Sequence, residues 1–291
     1  MKTRKSKQAA APPNYKGYRD PSFVIPVEQA QKLISMDDVL FIDTRNYWKY
    51  VEGHIPGAFN IELYAFHWID TSKRGIRAFL RQMEFLFSSV GLVRNRQEVV
   101  FYQNNSGYDA ARGVWLLNYM GHTKARILDG GLNAWKRAGL PLSAEDPVAV
   151  KRGHFVARPN ESLIATCDLV SSRLGKSNAT TLVDTRSPGE FSGRYRRALH
   201  AGHVPSSKNI EWKLALRRDG TLKSARELGQ IFSSVPEGDE VITYCQSGYR
   251  AAHSWLVLRL LGYSKARNYL GSWYEWGNSR RPSVTLKDDG P

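Results

Sequence analysis

The sequence predicts an α/β protein of two tandem domains, each a mostly parallel sheet flanked by helices on both faces. Three observations carry this expectation. The length of 291 residues suits two domains at roughly 150 residues each. A series of motifs occurs twice in the same order, and within each copy short apolar runs alternate with amphipathic stretches. The repeat is weighed first because it decides the architecture. Phe41-Ile-Asp-Thr-Arg45 returns as Leu182-Val-Asp-Thr-Arg186, 141 positions later. Gly53-His-Ile-Pro56 returns as Gly202-His-Val-Pro205, now 149 positions later, so the second copy gains eight residues, placed within Arg194–Ala201. Ser106-Gly-Tyr108 and Lys124-Ala-Arg126 recur as Ser247-Gly-Tyr249 and Lys265-Ala-Arg267, back at 141.

Each element then follows from local pattern. Val39–Asp43 is a short apolar run closed by a polar turn, as a buried strand requires. From Arg74 to Val90, the residues Ile76, Leu80, Met83, Phe87 and Val90 recur at three-to-four spacing, predicting a helix with one buried face. Glu98–Tyr102 reads as a strand and Gly107–Tyr119 as a helix closed by Gly121. The second copy repeats the order with a strand at Thr181–Asp184, a helix at Ala225–Val235, a strand at Glu240–Tyr244 and a helix at Gly248–Leu261. Alternation of this kind implies a parallel sheet covered on both faces. Prolines and mixed charges between Pro141 and Pro159 interrupt the periodicity. The expected division is a basic flexible tail over 1–20, a first domain over 21–145, a linker over 146–160 and a second domain over 161–291.

Composition narrows the function classes. Hydrophobic residues make up 42% and aromatics 11%, enough for buried cores and against a disordered chain. No apolar run approaches the roughly 20 residues of a membrane helix, and the basic start lacks the apolar stretch of a secretory signal. A cytoplasmic protein without membrane contact is expected. Two cysteines, Cys167 and Cys245, are too few for a disulfide framework, and no ligand spacing suggests a metal, so neither metal nor cofactor is expected. Lys and Arg outnumber Asp and Glu by 42 to 27, a net charge of +15. Such an excess draws in anionic substrates. Nucleic-acid binding is not expected, because no recognition motif accompanies the charge.

What differs between the copies carries the chemistry. Aligned at 141, Tyr244-Cys245-Gln-Ser-Gly-Tyr-Arg250 falls on Gln103-Asn104-Asn-Ser-Gly-Tyr-Asp109. Cys245 and Arg250 appear together in one copy and are both absent from the other. The cysteine follows a strand and precedes a helix, the crevice where α/β sheets bind ligands. Backbone N–H groups of a tight loop at a helix N-terminus form an anion cradle. Gly248 permits the turn, Arg250 adds a cation, and these surroundings suit an anionic, reactive sulfur. Cys167, in Ile164-Ala-Thr-Cys-Asp-Leu-Val, reads as a packing residue.

Asp-Thr-Arg, Gly-His-Ile/Val-Pro, the cysteine loop and Tyr269-Leu-Gly-Ser-Trp-Tyr-Glu-Trp276 together resemble the tandem-domain rhodanese family, the thiosulfate and 3-mercaptopyruvate sulfurtransferases. The resemblance spans the chain apart from its tail, and implies a first domain without nucleophile and a catalytic second one. It implies double displacement: Cys245 takes sulfane sulfur from a small anionic donor as a persulfide, and cyanide or a thiol acceptor removes it. Backbone donors from Gln246, Ser247, Gly248 and Tyr249 to Arg250 would stabilise the charged sulfur. Arg250 would hold the donor anion with its fork of N–H groups. Arg186 resembles the family's other substrate-binding arginine, although its counterpart Arg45 makes a structural role equally compatible.

Thiosulfate is the expected donor, because a compact dianion gains most from concentrated positive charge; mercaptopyruvate is the alternative. A sulfur carrier or binding protein without turnover is a more distant one. So is a phosphatase, whose loop has five residues between cysteine and arginine where this one has four, Gln246 to Tyr249. His54 and His203 occur in both copies and read as turn-stabilising. Asp43 and Asp184 read as orienting the backbone and the arginines. Trp273, Glu275 and Trp276 suit packing near the site or between the domains.

Overall fold

A computed structural model describes residues 14–147, 151–175 and 180–279. The first half runs β1 (Val24–Ile25), α1 (Val27–Ala30), β2 (Val39–Asp43), α2 (Tyr47–Val51), β3 (Phe59–Asn60), α3 (Lys73–Ser89), β4 (Glu98–Tyr102), α4 (Tyr108–Tyr119), β5 (Ala125–Leu128) and α5 (Gly131–Arg137). The second half repeats it as β6 (Ile164–Ala165), α6 (Cys167–Arg173), β7 (Thr180–Asp184), α7 (Pro188–Phe191), β8 (Lys208–Asn209), α8 (Ala225–Ile231), β9 (Glu240–Tyr244), α9 (Tyr249–Leu260), β10 (Ala266–Tyr269) and α10 (Ser272–Trp276). Each half forms a five-stranded sheet, in the orders β1-β5-β4-β2-β3 and β6-β10-β9-β7-β8. All pairs within them are parallel. The duplicated parallel architecture read from the motifs is therefore present. The central strands read as near-continuous apolar runs because both of their faces are covered.

The covering differs by face. On one side of each sheet lie α4 and α9, which pack against each other, and a single core extends through them from one half to the other. Trp115 and Trp255 sit there fully buried, each contributing on the order of 2–3 kcal/mol by area removed from water. The far faces carry separate cores, one around Trp135 in the first half and one around Trp273 and Trp276 in the second. In α3 the buried face is Gly75, Phe79, Met83 and Phe87. Ile76 and Leu80, expected inside, are half-buried beside it, because the helix turns Phe79 toward the core.

Two stretches of the connecting chain are held against the domains. Residues 1–13 of the expected flexible tail lie outside the described residues, but residues 14–20 are strapped to the second half. The Tyr18 ring is buried and its hydroxyl donates to the Lys223 carbonyl at 2.5 Å. Asp129, at the end of β5, accepts from Tyr15 Oη at 2.7 Å, Lys16 Nζ at 2.5 Å, Ser106 Oγ at 2.8 Å and Leu222 N at 2.8 Å. One carboxylate thus joins the strap and both halves. The described part of the linker lies along the first half: Gly153 N donates to Ser88 O, and Phe155, buried, donates its N–H to Ser88 Oγ.

Candidate active site

Cys245 leaves the end of β9, and the register of that strand shows what stands opposite it in the other copy. Tyr244 Oη accepts from Val204 N, and its carbonyl accepts from Thr185 N and Oγ1. Tyr102 makes the same set with Ile55 and Thr44. The two tyrosines are equivalent, although α4 and α9 begin at Tyr108 and Tyr249. The first loop is therefore one residue longer, and Cys245 matches Gln103 rather than Asn104. The carbonyls agree: Leu132 N donates to Gln103 O at 2.7 Å, as Trp273 N donates to Cys245 O at 2.9 Å. A one-residue insertion between matching flanks was invisible to an alignment at constant offset.

The sulfur sits in a rigid cradle. Gly248 N–H donates to Cys245 Sγ at 3.1 Å and Ser247 N–H at 3.4 Å. Gly248 has φ +79°, and a Cβ there would lie 2.7 Å from Leu270 O, so glycine is required for both conformation and space. Its carbonyl is fixed by Asn268 Nδ2 at 3.0 Å and Arg112 Nη1 at 3.3 Å. Cys245 N donates to Ser272 Oγ at 3.1 Å. Arg112 belongs to α4 of the other half, is buried, and lies over the Trp115 ring at 4.6 Å and the Tyr249 ring at 5.0 Å. Burial presses its guanidinium pKa below the ordinary value, with Tyr249 and Cys245 opposing. His253, the counterpart of Arg112 on α9, reaches the opposite way to Ser106 O at 2.9 Å. Each half therefore braces the other's loop.

In the first half the cradle is occupied by its own side chain. Gln103 Oε1 accepts Asp109 N–H at 2.9 Å and Ala110 N–H at 3.4 Å, so the helix N-terminus is satisfied internally.

Cys245 is 1% exposed, at the base of a cavity of about 440 Å³. Tyr64 and Tyr108 from the first half line it with Tyr195, Arg197, Trp212 and Lys213 from the second. Gln246, Ser247, Tyr249 and Arg250 also line it, so the loop residues singled out in the sequence converge. Gln246 Nε2 donates to Arg197 O at 3.0 Å, and Tyr249 Oη donates to Leu63 O at 2.7 Å. The second half's extra residues supply Tyr195 and Arg197, and thus build one wall.

Both arginines singled out in the sequence are held by carboxylates. Arg250 Nη1 and Nη2 are both spent on Glu190, at 2.6 and 2.9 Å, so the fork expected to grip the donor faces a carboxylate instead. Burial pushes Glu190 up, but the Arg250 hydrogen bonds and charge, with Ser187, outweigh it and hold the carboxyl at about 2. Arg197 approaches the same carboxylate at 3.5 Å. Arg186 is 1% exposed, bound to Asp184 at 2.6 Å and to Gly202 O at 2.8 Å, and is not among the cavity-lining residues. Arg45 makes the same bonds to Asp43 and Gly53 O. These bonds are those of the structural role that the repeat of Arg45 made equally compatible.

His54 and His203 bind backbone carbonyls, Tyr50 O at 3.0 Å and Phe191 O at 2.9 Å, and stack on those rings. Trp273 and Trp276 are core residues, whereas Glu275 accepts from Thr71 N and Oγ1 across the domain boundary. Sequence reasoning missed Glu190, Arg112, Asn268, Ser272 and Lys213. Only Glu190 carried a local signal, the Ser-x-x-Glu capping box that begins α7.

The rhodanese-like domain family matches residues 26–138 and 166–279, one match for each sheet. The chain belongs to the rhodanese family. A relative from Thermus thermophilus named sulfur carrier protein TtuD is 34% identical, covering 90% of this chain and 96% of its own. A thiosulfate sulfurtransferase from Pseudomonas aeruginosa is 32% identical over 89% of this chain and 94% of its own. Among solved structures, an anaerobic ergothioneine biosynthesis enzyme from Chlorobium limicola in complex with trimethyl histidine superposes with a TM-score of 0.79. That match has 21% identity and covers 94% of this chain and 72% of the other, a likeness of fold. Among the described residues of this rhodanese, no group of His, Cys, Asp and Glu could hold a metal ion. No described helix is long and apolar enough to cross a membrane.

Proposed function

We propose that this protein moves sulfane sulfur from thiosulfate to cyanide or a thiol through a Cys245 persulfide, in the cytoplasm. One observation carries the reading: the Ser247 and Gly248 N–H groups converge on Cys245 Sγ at the base of a cavity lined by cations. Cys245 thiolate attacks the outer sulfur of thiosulfate, the S–S bond breaks, and sulfite leaves with the electron pair. The acceptor then attacks the terminal sulfur of the persulfide, and the pair returns to Cys245. Donors already aimed at the sulfur need no rearrangement as charge returns to it, which makes them effective. Arg250, clamped by Glu190, contributes a fixed positive end to α9 and not a substrate grip. Lys213 and Arg197, the latter also 3.5 Å from Glu190, are the other cavity cations, and they meet the donor's oxygens.

The test is steady-state turnover with thiosulfate and cyanide, beside mercaptopyruvate and cyanide, with Cys245→Ser as control. Thiocyanate from thiosulfate that disappears in the variant supports the reading, and faster turnover of mercaptopyruvate replaces the donor. The relative named as a sulfur carrier favours a second reading. In that case thiosulfate yields one round of persulfide but no sustained product.

A further inference from the structure

We propose that Ser272 is a positioning residue for Cys245: its hydroxyl pins the cysteine's backbone N–H and so keeps Sγ aligned with the Ser247 and Gly248 donors. This deepens the sulfurtransferase reading, on which its effect on turnover rests. The turn into α10 grips the cysteine loop at three consecutive residues. Ser272 Oγ accepts from Cys245 N at 3.1 Å, Trp273 N donates to Cys245 O at 2.9 Å, and Tyr274 N donates to Gln246 O at 2.9 Å. The silent half keeps the last two grips, Leu132 N to Gln103 O at 2.7 Å and Asn133 N to Asn104 O at 2.9 Å. The first grip has no counterpart, because Gly131 stands where Ser272 does. Two shared bonds hold either loop in shape, and the third accompanies the nucleophile.

Ser272 is strained in that place. Its φ is +51°, in the left-handed region, and Gly131 has φ +55°. Glycine takes this conformation freely, whereas a residue with a side chain resists it. A Cβ on Gly131 would collide with Gln103 O and lie 2.8 Å from Asn105 N, so the longer silent loop leaves no room for a side chain. The shorter loop around Cys245 has that room, and a strained serine fills it. Strain kept beside a nucleophile points to a task for the residue that bears it. Ser272 is fully buried, and its hydroxyl hydrogen goes to Tyr269 O at 2.7 Å, so a lone pair faces the Cys245 N–H. Tyr269 closes β10, and Asn268 of the same strand holds Gly248 O at 3.0 Å. One strand end therefore sets both the cysteine that carries the sulfur and the glycine whose N–H meets it. Charge stands on Sγ when the thiolate forms and again when the persulfide gives up its sulfur, and both steps need the same alignment.

The experiment compares Ser272→Gly and Ser272→Ala in the full chain. Both remove the hydroxyl, but glycine relieves the backbone and alanine leaves it strained, so chemistry and stability separate. The first readout is the rate at which iodoacetamide, which reacts with the thiolate, alkylates Cys245. Peptide mass sets Cys167 apart, and no sulfur donor is needed. The second readout is thiosulfate–cyanide turnover, and the third is thermal unfolding. Both variants are expected to alkylate roughly tenfold more slowly and to lose about tenfold in kcat, with KM for thiosulfate little changed. Ser272→Ala should unfold at a lower temperature than Ser272→Gly. A parental alkylation rate in Ser272→Gly overturns the proposal, because reactivity would then follow backbone strain and not the hydroxyl. A raised KM at constant kcat also overturns it, by making Ser272 a substrate-binding group. If the parental protein alkylates but turns over no thiosulfate, the donor reading fails, and the alkylation rates still decide the role of Ser272.

Discussion

Arg250 and Glu190 meet through two hydrogen bonds of 2.6 and 2.9 Å, with the carboxylate side chain 5% and the guanidinium 19% exposed. The corresponding positions in the first half are Asp109 and Lys49, the same pair with its charges exchanged. Lys49 is exposed and Asp109 leaves Oδ1 unbonded. The pair is closed only beside the cysteine.

Removing Glu190 therefore leaves a largely buried cation without its partner. Glu190→Ala should cost about 3 kcal/mol in urea unfolding and lower turnover as Arg250 loses its position. Because the carboxyl is held at about 2 against 4.5 when unfolded, its stabilisation is complete above pH 4.5 and disappears as pH falls toward 2. Glu190→Gln should flatten the stability profile in that window; a variant with the parental slope there would sink the assignment.

Asp109 predicts the opposite sign. Burial, with Glu62 adding, raises its carboxyl from 3.8 to about 7, so the native state loses stability as pH rises through that interval. Asp109→Asn should be the more stable protein at pH 7, by on the order of 2 kcal/mol, and the gap should close below pH 3.8. Thermal unfolding of both proteins at several pH values measures it.

The cross-domain brace gives a third expectation. Arg112→Met keeps an apolar stem among Phe79, Trp115 and Tyr249 but loses the bond to Gly248 O. Thiocyanate production should fall roughly tenfold through loss of donor positioning, with KM for thiosulfate little changed. A rise in KM at constant kcat would instead make Arg112 a binding group.

Gly248→Ala tests the cradle itself. The added Cβ meets Leu270 O at 2.7 Å in a backbone conformation of φ +79°, and the loop must shift away from the sulfur. Turnover should fall on the order of a hundredfold, while circular dichroism shows the fold retained. Near-normal turnover would mean that the Gly248 N–H is unnecessary.

Much of this was legible in the chain. Parallel strands buried on both faces are written as Val-Leu-Phe-Ile and Val-Ile-Thr-Tyr runs, and duplication showed each run twice. The cysteine stood out because its copy lacks it. Side-chain partnership did not show. Arg250 looks like a free cation beside a nucleophile until folding brings Glu190 to it from 60 positions away. Arg186 looks like a candidate grip until Asp184, two residues back, takes its guanidinium. Arg112 and His253 occupy equivalent helix positions as different residues, so repetition could not reveal that both brace a loop. The packed linker shows few hydrophobic residues, because backbone bonds such as Gly153 N to Ser88 O hold it.

Gln103 has a consequence for stoichiometry. A duplicated protein that had simply lost one nucleophile would keep two anion pockets, and the silent pocket would compete with the working one for donor. Here the silent loop donates its Asp109 and Ala110 N–H groups to its own glutamine, which withholds both from a second donor molecule. Calorimetric titration with thiosulfate should count one equivalent per chain, and exhaustive loading should deposit one sulfur. The doubled fold is expected to behave as a single-site reagent.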